Sequence, residues 1–308
     1  MAYRCAVGTV DVSQMNPAAL SIHLLALLEK VSARAGVEDV HHLRTTVRRL
    51  EVQLGKPPAG APDKIAKSLK SLRRQAGKVR DLDVHLGLLD PPLLPTRPND
   101  PLQDKLRHIL KDKRARKLGK LHDRIAKSVP LLESRLPARV ERAPHAALSA
   151  RDALQLTARA RRQFLQWTAE IPADEQALHQ LRIQTKKLRY AMEPLQARAG
   201  GAALVAKFKQ VQDAIGVWHD WATLEQLASR YLDPAQSGPL RHALHAHCQR
   251  EYRRARRTAQ SVRNWMARAS AGAGGRSGVN RRISGARPSV SSYPARAHST
   301  LKLIGKAG

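Results

Sequence analysis

Acidic residues are scarce in this chain. It has 308 residues, with 25 Asp and Glu against 55 Lys and Arg, a formal charge of +30. Such a balance says little about fold and much about partners. It favours nucleic acid, anionic lipid or another polyanion. Aromatic residues make up only 4%, which leaves few stacking platforms for single-stranded nucleic acid. The two cysteines, Cys5 and Cys248, are too few for a disulfide framework and point to a reducing compartment. The densest apolar stretch, Leu20 to Leu28, is interrupted by His23 and falls far below the roughly 20 residues that span a bilayer. Met1 to Met15 lacks the basic start and apolar run of a signal peptide. The expectation is a soluble cytoplasmic protein without a membrane partner.

Catalytic signatures are missing too. There is no His-Glu-x-x-His and no Gly-x-Ser-x-Gly. The Gly272–Gly278 stretch lacks the Lys-Ser/Thr ending of a phosphate-cradling loop. His242, His245, His247 and Cys248 lie close together in sequence, yet without a loop framework they read as helix-surface side chains, not as a metal site. No cofactor, metal or catalytic residue is expected, and the chain reads as a binding protein.

What is present is helix. Segments rich in Ala, Leu, Arg, Lys and Gln alternate with Pro and Gly clusters, and no sustained period-two alternation occurs. Helices are expected near 17–35, 38–54, 61–89, 101–137, 145–170, 173–199, 201–232 and 235–268. The breaks fall at Gly36, Gly55 to Pro62, Pro91 to Pro101, Pro137 to Pro144, Pro172, Gly200-Gly201 and Pro234 to Pro239. From residue 269 to 308 the chain carries seven basic and no acidic residues with almost no apolar periodicity. That composition predicts a disordered basic tail. Residues 15–268 without it still have a charge of +23, so the excess belongs to the folded body as well.

The chain also repeats itself. His41-His42-Leu43-Arg44-Thr45-Thr46-Val47-Arg48-Arg49-Leu50 matches His179-Gln180-Leu181-Arg182-Ile183-Gln184-Thr185-Lys186-Lys187-Leu188 at an offset of 138. Gly77…Arg80-Asp81 matches Gly216…His219-Asp220 at 139, and the same offset pairs Lys70 with Lys209. Duplication of a four-helix unit follows, which turns eight helices into two four-helix bundles, about 15–140 and 141–268.

At about 100° per residue, His41, Arg44 and Arg48 fall within roughly 60° of arc, and His179, Arg182, Lys186 and Arg189 within roughly 80°. Arg49 and Lys187 lie on one flank. Val40, Leu43, Val47, Leu50 and Leu54 form a separate apolar stripe, as do Leu178, Leu181, Leu188 and Met192. One basic face is ordinarily solvated surface. Two copies almost free of intervening acid, despite the repulsion of like charges at i+3 and i+4, point instead to an anion that relieves it. Arginine supplies forked donors for phosphate oxygens, lysine a compact charge, and histidine a further donor. Lys70 and Lys209 are candidate outer contacts. Asp81 and Asp220 are expected to brace basic side chains or a helix end. Arg250, Arg253, Arg254, Arg256 and Arg257 crowd the last helix, either extending the basic surface or solvating it.

His179 to Tyr190 resembles the hallmark helix of the CHAD family, the conserved-histidine α-helical domain, and His41 to Leu50 resembles its other hallmark helix. The Gly77…Asp83-Val84 and Gly216…Asp220 segments are similar to family motifs as well. The resemblance covers roughly residues 15–268. It implies two four-helix bundles related by pseudo-twofold symmetry, with a basic cleft or channel. It further implies binding of inorganic polyphosphate by His41, Arg44, Arg48, Arg49, His179, Arg182, Lys186, Lys187 and Arg189, and association with polyphosphate granules. Glu51 departs from the pattern, because the second copy has Arg189 there and the family usually has a base. Family members are often fused to a CYTH-type triphosphatase domain, whose Glu-x-Glu-x-Lys motif this chain lacks. Two other functions compete with polyphosphate binding: non-specific nucleic-acid binding, aided by the tail, and phosphate-processing catalysis.

Overall fold

A computed structural model describes residues 15–55, 63–90, 94, 100–143, 149–192, 195 and 201–274, with side chains described through Arg268. All regular elements among these residues are helical. They are α1 (Pro17–Ala33), α2 (Val37–Leu54), α3 (Lys64–Leu88), α4 (Pro101–Glu141), α5 (Ala150–Trp167), α6 (Glu175–Met192), α7 (Gly201–Tyr231) and α8 (Gly238–Gly274). The chain divides after Ala267 into two compact units. Beyond it α8 runs on to Gly274. The rest of the tail expected at 269–308, and the leading residues 1–14, lie outside the described residues.

Local chemistry sets the helix starts. Asn16 and Asp63 accept from the amides of Ala19 and Ala66, each three residues on. Asp100 caps α4 with Pro101 in its first turn, and Ser149 caps α5 by accepting from Asp152. Each such cap is worth about 1 kcal/mol. Gly55 ends α2 with φ 67°, a conformation that disfavours other residues. At the start of α7 a Cβ on Gly201 would lie 2.1 Å from the Leu195 carbonyl oxygen, so only glycine fits.

Two departures from the sequence reading stand out. Pro137 was expected to end its helix, but α4 continues to Glu141. Leu132, Leu136 and Val140 extend one buried stripe through this region, and that burial holds the helical path despite the lost amide. Likewise α8 passes residue 268 to Gly274, although two glycines, at 272 and 274, lower the helix propensity there.

The buried side chains form two clusters. The first draws on α1, α2, α3 and the C-terminal half of α4, with Leu24, Leu43, Leu72 and Leu132 fully enclosed. The second draws on α5 to α8, with Phe164 and Phe208 in ring contact at 5.5 Å. It also recruits Leu89, Leu94, Leu106 and Leu110. The long helix α4 therefore serves both. Both apolar stripes read from the repeats are buried, from Val40 to Leu54 and from Leu178 to Met192. Each enclosed leucine contributes about 1.5–3 kcal/mol. With their apolar sides committed, α2 and α6 can only turn their basic sides elsewhere.

Between the two clusters, polar contacts tie α3 to α4. Arg114 donates to the fully buried carboxylate of Asp83 and, at 3.2 Å, to the Ala35 carbonyl. Gln103 and Arg107 both donate to the Leu89 carbonyl at the end of α3. Losing Arg114 would strand the buried Asp83 carboxylate, which is far costlier than the pair is stabilising.

Candidate anion-binding site

The cationic faces of α2 and α6 meet. The Arg48 guanidinium from α2 lies over the Tyr190 ring of α6, 3.2 Å from its centroid. Arg189 flanks the same ring at 4.2 Å. Such cation–π contacts contribute about 0.5–2 kcal/mol, and here they pin a residue of one repeat to the other.

Lys186 lies at the centre of this convergence. Burial, then the charges of Arg48, Arg182, Arg44 and Arg73, pushes its ammonium down to about 7. Arg48 is itself pushed down to about 10 by burial, with Arg189, Arg44 and Arg73 adding to the effect. Positive charge from α2, α3 and α6 is thus gathered around one lysine.

The second pair of motifs forms the adjoining wall. Asp220 on α7 is pushed up to about 6 by burial. The Asp81 charge from α3 adds to this, while Arg182, Arg44 and Arg80 oppose it. His219 is pushed down to about 4 by burial, then by Arg182, His179 and His85. Its ring lies 5.0 Å from that of His179. His41 is lowered by burial first and then by Arg80. The His41 Nδ1 and the Arg182 Nε are buried without a hydrogen-bond partner. Along α3, Gly77 leaves room for Arg44, whose Nε would stand 3.6 Å from a Cβ placed there.

Of the residues singled out in sequence, His41, Arg44, Arg48, His179, Arg182, Lys186 and Arg189 are brought into this one neighbourhood. Arg49 is half-buried on the flank and Lys187 is exposed. Lys70 is exposed in a small depression beside Glu51, Arg73 and Arg139. Lys209 is engaged by Asp213 at 2.6 Å on its own helix. Among the α8 arginines, Arg250, Arg253, Arg254 and Arg257 are exposed. Of the neighbouring group, His245 binds Glu225 at 2.9 Å, His247 stacks on Trp221 at 4.5 Å, and Cys248 is buried. Among the described residues no three His, Cys, Asp or Glu side chains are grouped to hold a metal.

The structure adds residues that periodicity did not mark: Arg73, Arg80, Tyr190 and Gln212. Glu51, the departure in the first repeat, accepts from Arg73 at 2.5 Å. In the second repeat Arg189 donates to Gln212 at 2.9 Å. These are equivalent pairs with the base moved from one helix to its neighbour, since 51 matches 189 and 73 matches 212. The offset of 139 that paired Gly77 with Gly216 was the available signal.

The comparisons with known proteins bear on the whole arrangement. A family model for the CHAD domain matches residues 18–229. The chain belongs to the CHAD family. Its fold is similar to the crystal structure of the CHAD domain from the plant Ricinus communis, with a TM-score of 0.58 and 21% sequence identity, over 83% of this chain and 91% of that one. At that identity the likeness concerns the fold alone. No curated protein matches the chain. No described helix is long and apolar enough to cross a membrane.

Proposed function

We propose that this CHAD domain binds inorganic polyphosphate without transforming it, in the cytoplasm and in association with polyphosphate granules. In this reading the two repeats are four-helix bundles related by a pseudo-twofold axis, and the polymer lies in a basic cleft that both hallmark helices face. The observation that carries it is the crowding of Arg44 and Arg48 from one repeat and Arg182 from the other around Lys186. A folded protein assembles such repulsion at a cost, and an anionic chain relieves it.

Polyphosphate suits the site chemically. It offers a flexible line of charge with no bases to stack or read. Forked guanidiniums can take successive phosphoryl oxygens in two-pronged contacts, while Lys186 supplies a compact charge. Release of condensed counterions then supplies much of the affinity, as it does for nucleic-acid backbones. The carboxylates near the cluster, Glu51, Asp81 and Asp220, pair with or neighbour bases, so their expected work is bracing and not metal-assisted phosphoryl transfer.

The test is a titration of polyphosphate into wild type and Arg44→Glu/Arg182→Glu at two salt concentrations. The double variant should bind about 100-fold more weakly, with a salt slope lower by about 2. Unchanged affinity would remove the site. Duplex DNA of equal charge serves as competitor, and equal competition at near-physiological salt would favour general nucleic-acid binding. Phosphate release from polyphosphate and magnesium by the pure protein would favour an enzyme.

A further inference from the structure

Helices α3 and α4 carry a second basic face. At about 100° per residue, Arg116, Lys117, Lys120, Arg124 and Lys127 of α4 fall within roughly 100° of arc. Lys67, Arg74 and Lys78 of α3 fall within roughly 40°. Arg116, Lys120 and Lys127 are exposed, as are all three bases of α3, while Lys117 and Arg124 are half-buried. From 113 to 132 the only acid is Asp123, at the edge of the arc, and α3 has none between Lys64 and Arg80. Among the described residues none of these bases is in an ion pair. Like charges stand at 116, 120 and 124, where a solvated helix would alternate them with acids.

This face lies away from the α2–α6 cluster. Helices α2 and α4 each pack on both α1 and α3, which sets them at opposite corners of the first cluster of buried side chains. One flank of α3 serves α2, through Arg73 on Glu51 and Gly77 beside Arg44. On its other side α3 meets α4, where Asp83 pairs with Arg114 and Asp63, its cap, lies 3.6 Å from Arg139. Those two pairs make the helices antiparallel and bring the basic rows alongside each other. The opposite flank of α4 turns to α1, with His122 Nε2 at 3.1 Å from the Val31 carbonyl oxygen.

The chemistry of the face selects its partner. Its arcs hold no apolar side chain to enter a bilayer and no aromatic ring to stack on single-stranded bases. The face is open, so a flexible chain would lose its conformational freedom there without being enclosed, whereas a rigid polyanion has little to lose. The axes of packed helices lie about 8–10 Å apart. Two basic rows at that spacing match the phosphate walls of a duplex groove, roughly 6 to 12 Å across.

We infer that the outer face of α3 and α4 binds the backbone of duplex nucleic acid, without reading its sequence, while the α2–α6 cluster holds its own anion. Lys and Arg contact phosphate oxygens, and counterion release supplies the affinity. No Asn or Gln stands in either arc to read a base edge. The inference does not rest on polyphosphate as the ligand of the cluster.

The experiment measures binding of the full chain to duplex DNA of about 30 base pairs by fluorescence anisotropy, at about 50 and 150 mM salt. Arg116→Glu/Lys120→Glu/Lys127→Glu should bind at least about 30-fold more weakly, with a salt slope lower by about 3. Lys67→Glu/Arg74→Glu/Lys78→Glu tests the other row independently and should behave alike. Arg250→Glu/Arg253→Glu/Arg257→Glu makes the same change in net charge at exposed positions of α8 and should lose less than about threefold. Protein carrying one equivalent of short polyphosphate should still take up the duplex. Equal losses in the α4 and α8 variants would mean that net charge alone matters, and would overturn the inference. So would displacement of the duplex by that polyphosphate, or tighter binding of phosphatidylserine vesicles than of the duplex through the same α4 bases. A protein that binds the duplex in this way but not polyphosphate sinks only the earlier reading.

Discussion

The first repeat and the second carry the same helix motif but distribute their charge differently. In the first, the position after Leu50 is Glu51, and it is spent on Arg73. In the second, Arg189 meets the neutral Gln212 and flanks Tyr190. The paired positions therefore sum to no charge in one repeat and to one positive charge in the other. The apolar stripes of α2 and α6 are equally buried. Both faces have drifted: Val47 of the first stripe is matched by the buried Thr185, as Glu51 is matched by Arg189. The stripe nevertheless stays buried in both repeats, and a polyanion is satisfied by charge from either of two neighbouring helices.

The largest expected effect tests whether both repeats contribute at all. Arg44→Glu and Arg182→Glu alone should each weaken polyphosphate binding by about tenfold, a repulsive contact replacing an attractive one. If one single variant binds like wild type by calorimetry, the site belongs to one repeat.

A smaller effect concerns the asymmetric pair. Arg189→Gln should weaken binding by about fivefold, and Glu51→Gln, which frees Arg73, should tighten it by about threefold at low salt. Changes of the same sign in both variants would break the proposed exchange of bases between helices.

Stability should respond to pH in opposite senses at the two perturbed groups. Lys186 titrates near 7 when folded against 10.5 ordinarily. The fold therefore disfavours its proton, and the cost is full below pH 7 and fades as pH rises to 10.5. Lys186→Gln should raise the melting temperature at neutral pH, with the gain gone above pH 10.5. Asp220 titrates near 6 against 3.8. Its cost is full above pH 6 and fades as pH falls to 3.8, so the gain in Asp220→Asn should shrink on acidification. Melting curves of both variants across pH check the two trends together.

The smallest effect compares the matched glycines. A Cβ at Gly216 meets nothing within 4 Å, while at Gly77 it meets Arg44. Gly216→Ala should stabilise by about 0.5–1 kcal/mol, from helix propensity alone. Gly77→Ala should gain less, by denaturant titration.

Much of the helical order was legible in the chain, because proline, glycine and capping residues punctuate it. The start of α4 is an example, with Asp100 capping and Pro101 following. Its end was not, because a proline at 137 reads as a stop until Leu136 and Val140 are seen to be buried beyond it. Within the candidate site, the residues of α2 and α6 could be read from their periodicity. Their partners could not. Nothing in the spacing of α3 says that Arg73 reaches Glu51, or that Tyr190 receives Arg48 from another helix. Such pairings depend on how helices cross, which a single helix's pattern does not encode.

Helix α4 has 41 residues, about 60 Å of rod, and its ends are built into different cores. During synthesis this creates an order of events. Leu106 and Leu110 leave the ribosome long before the α5 to α8 residues of the cluster they join. The first core can close once the end of α4 has emerged, but the forward half of that helix then waits with an apolar face uncovered. Domains that fold as they are made generally do so as units. Here the early unit holds out an unfinished strut, onto which the later helices assemble.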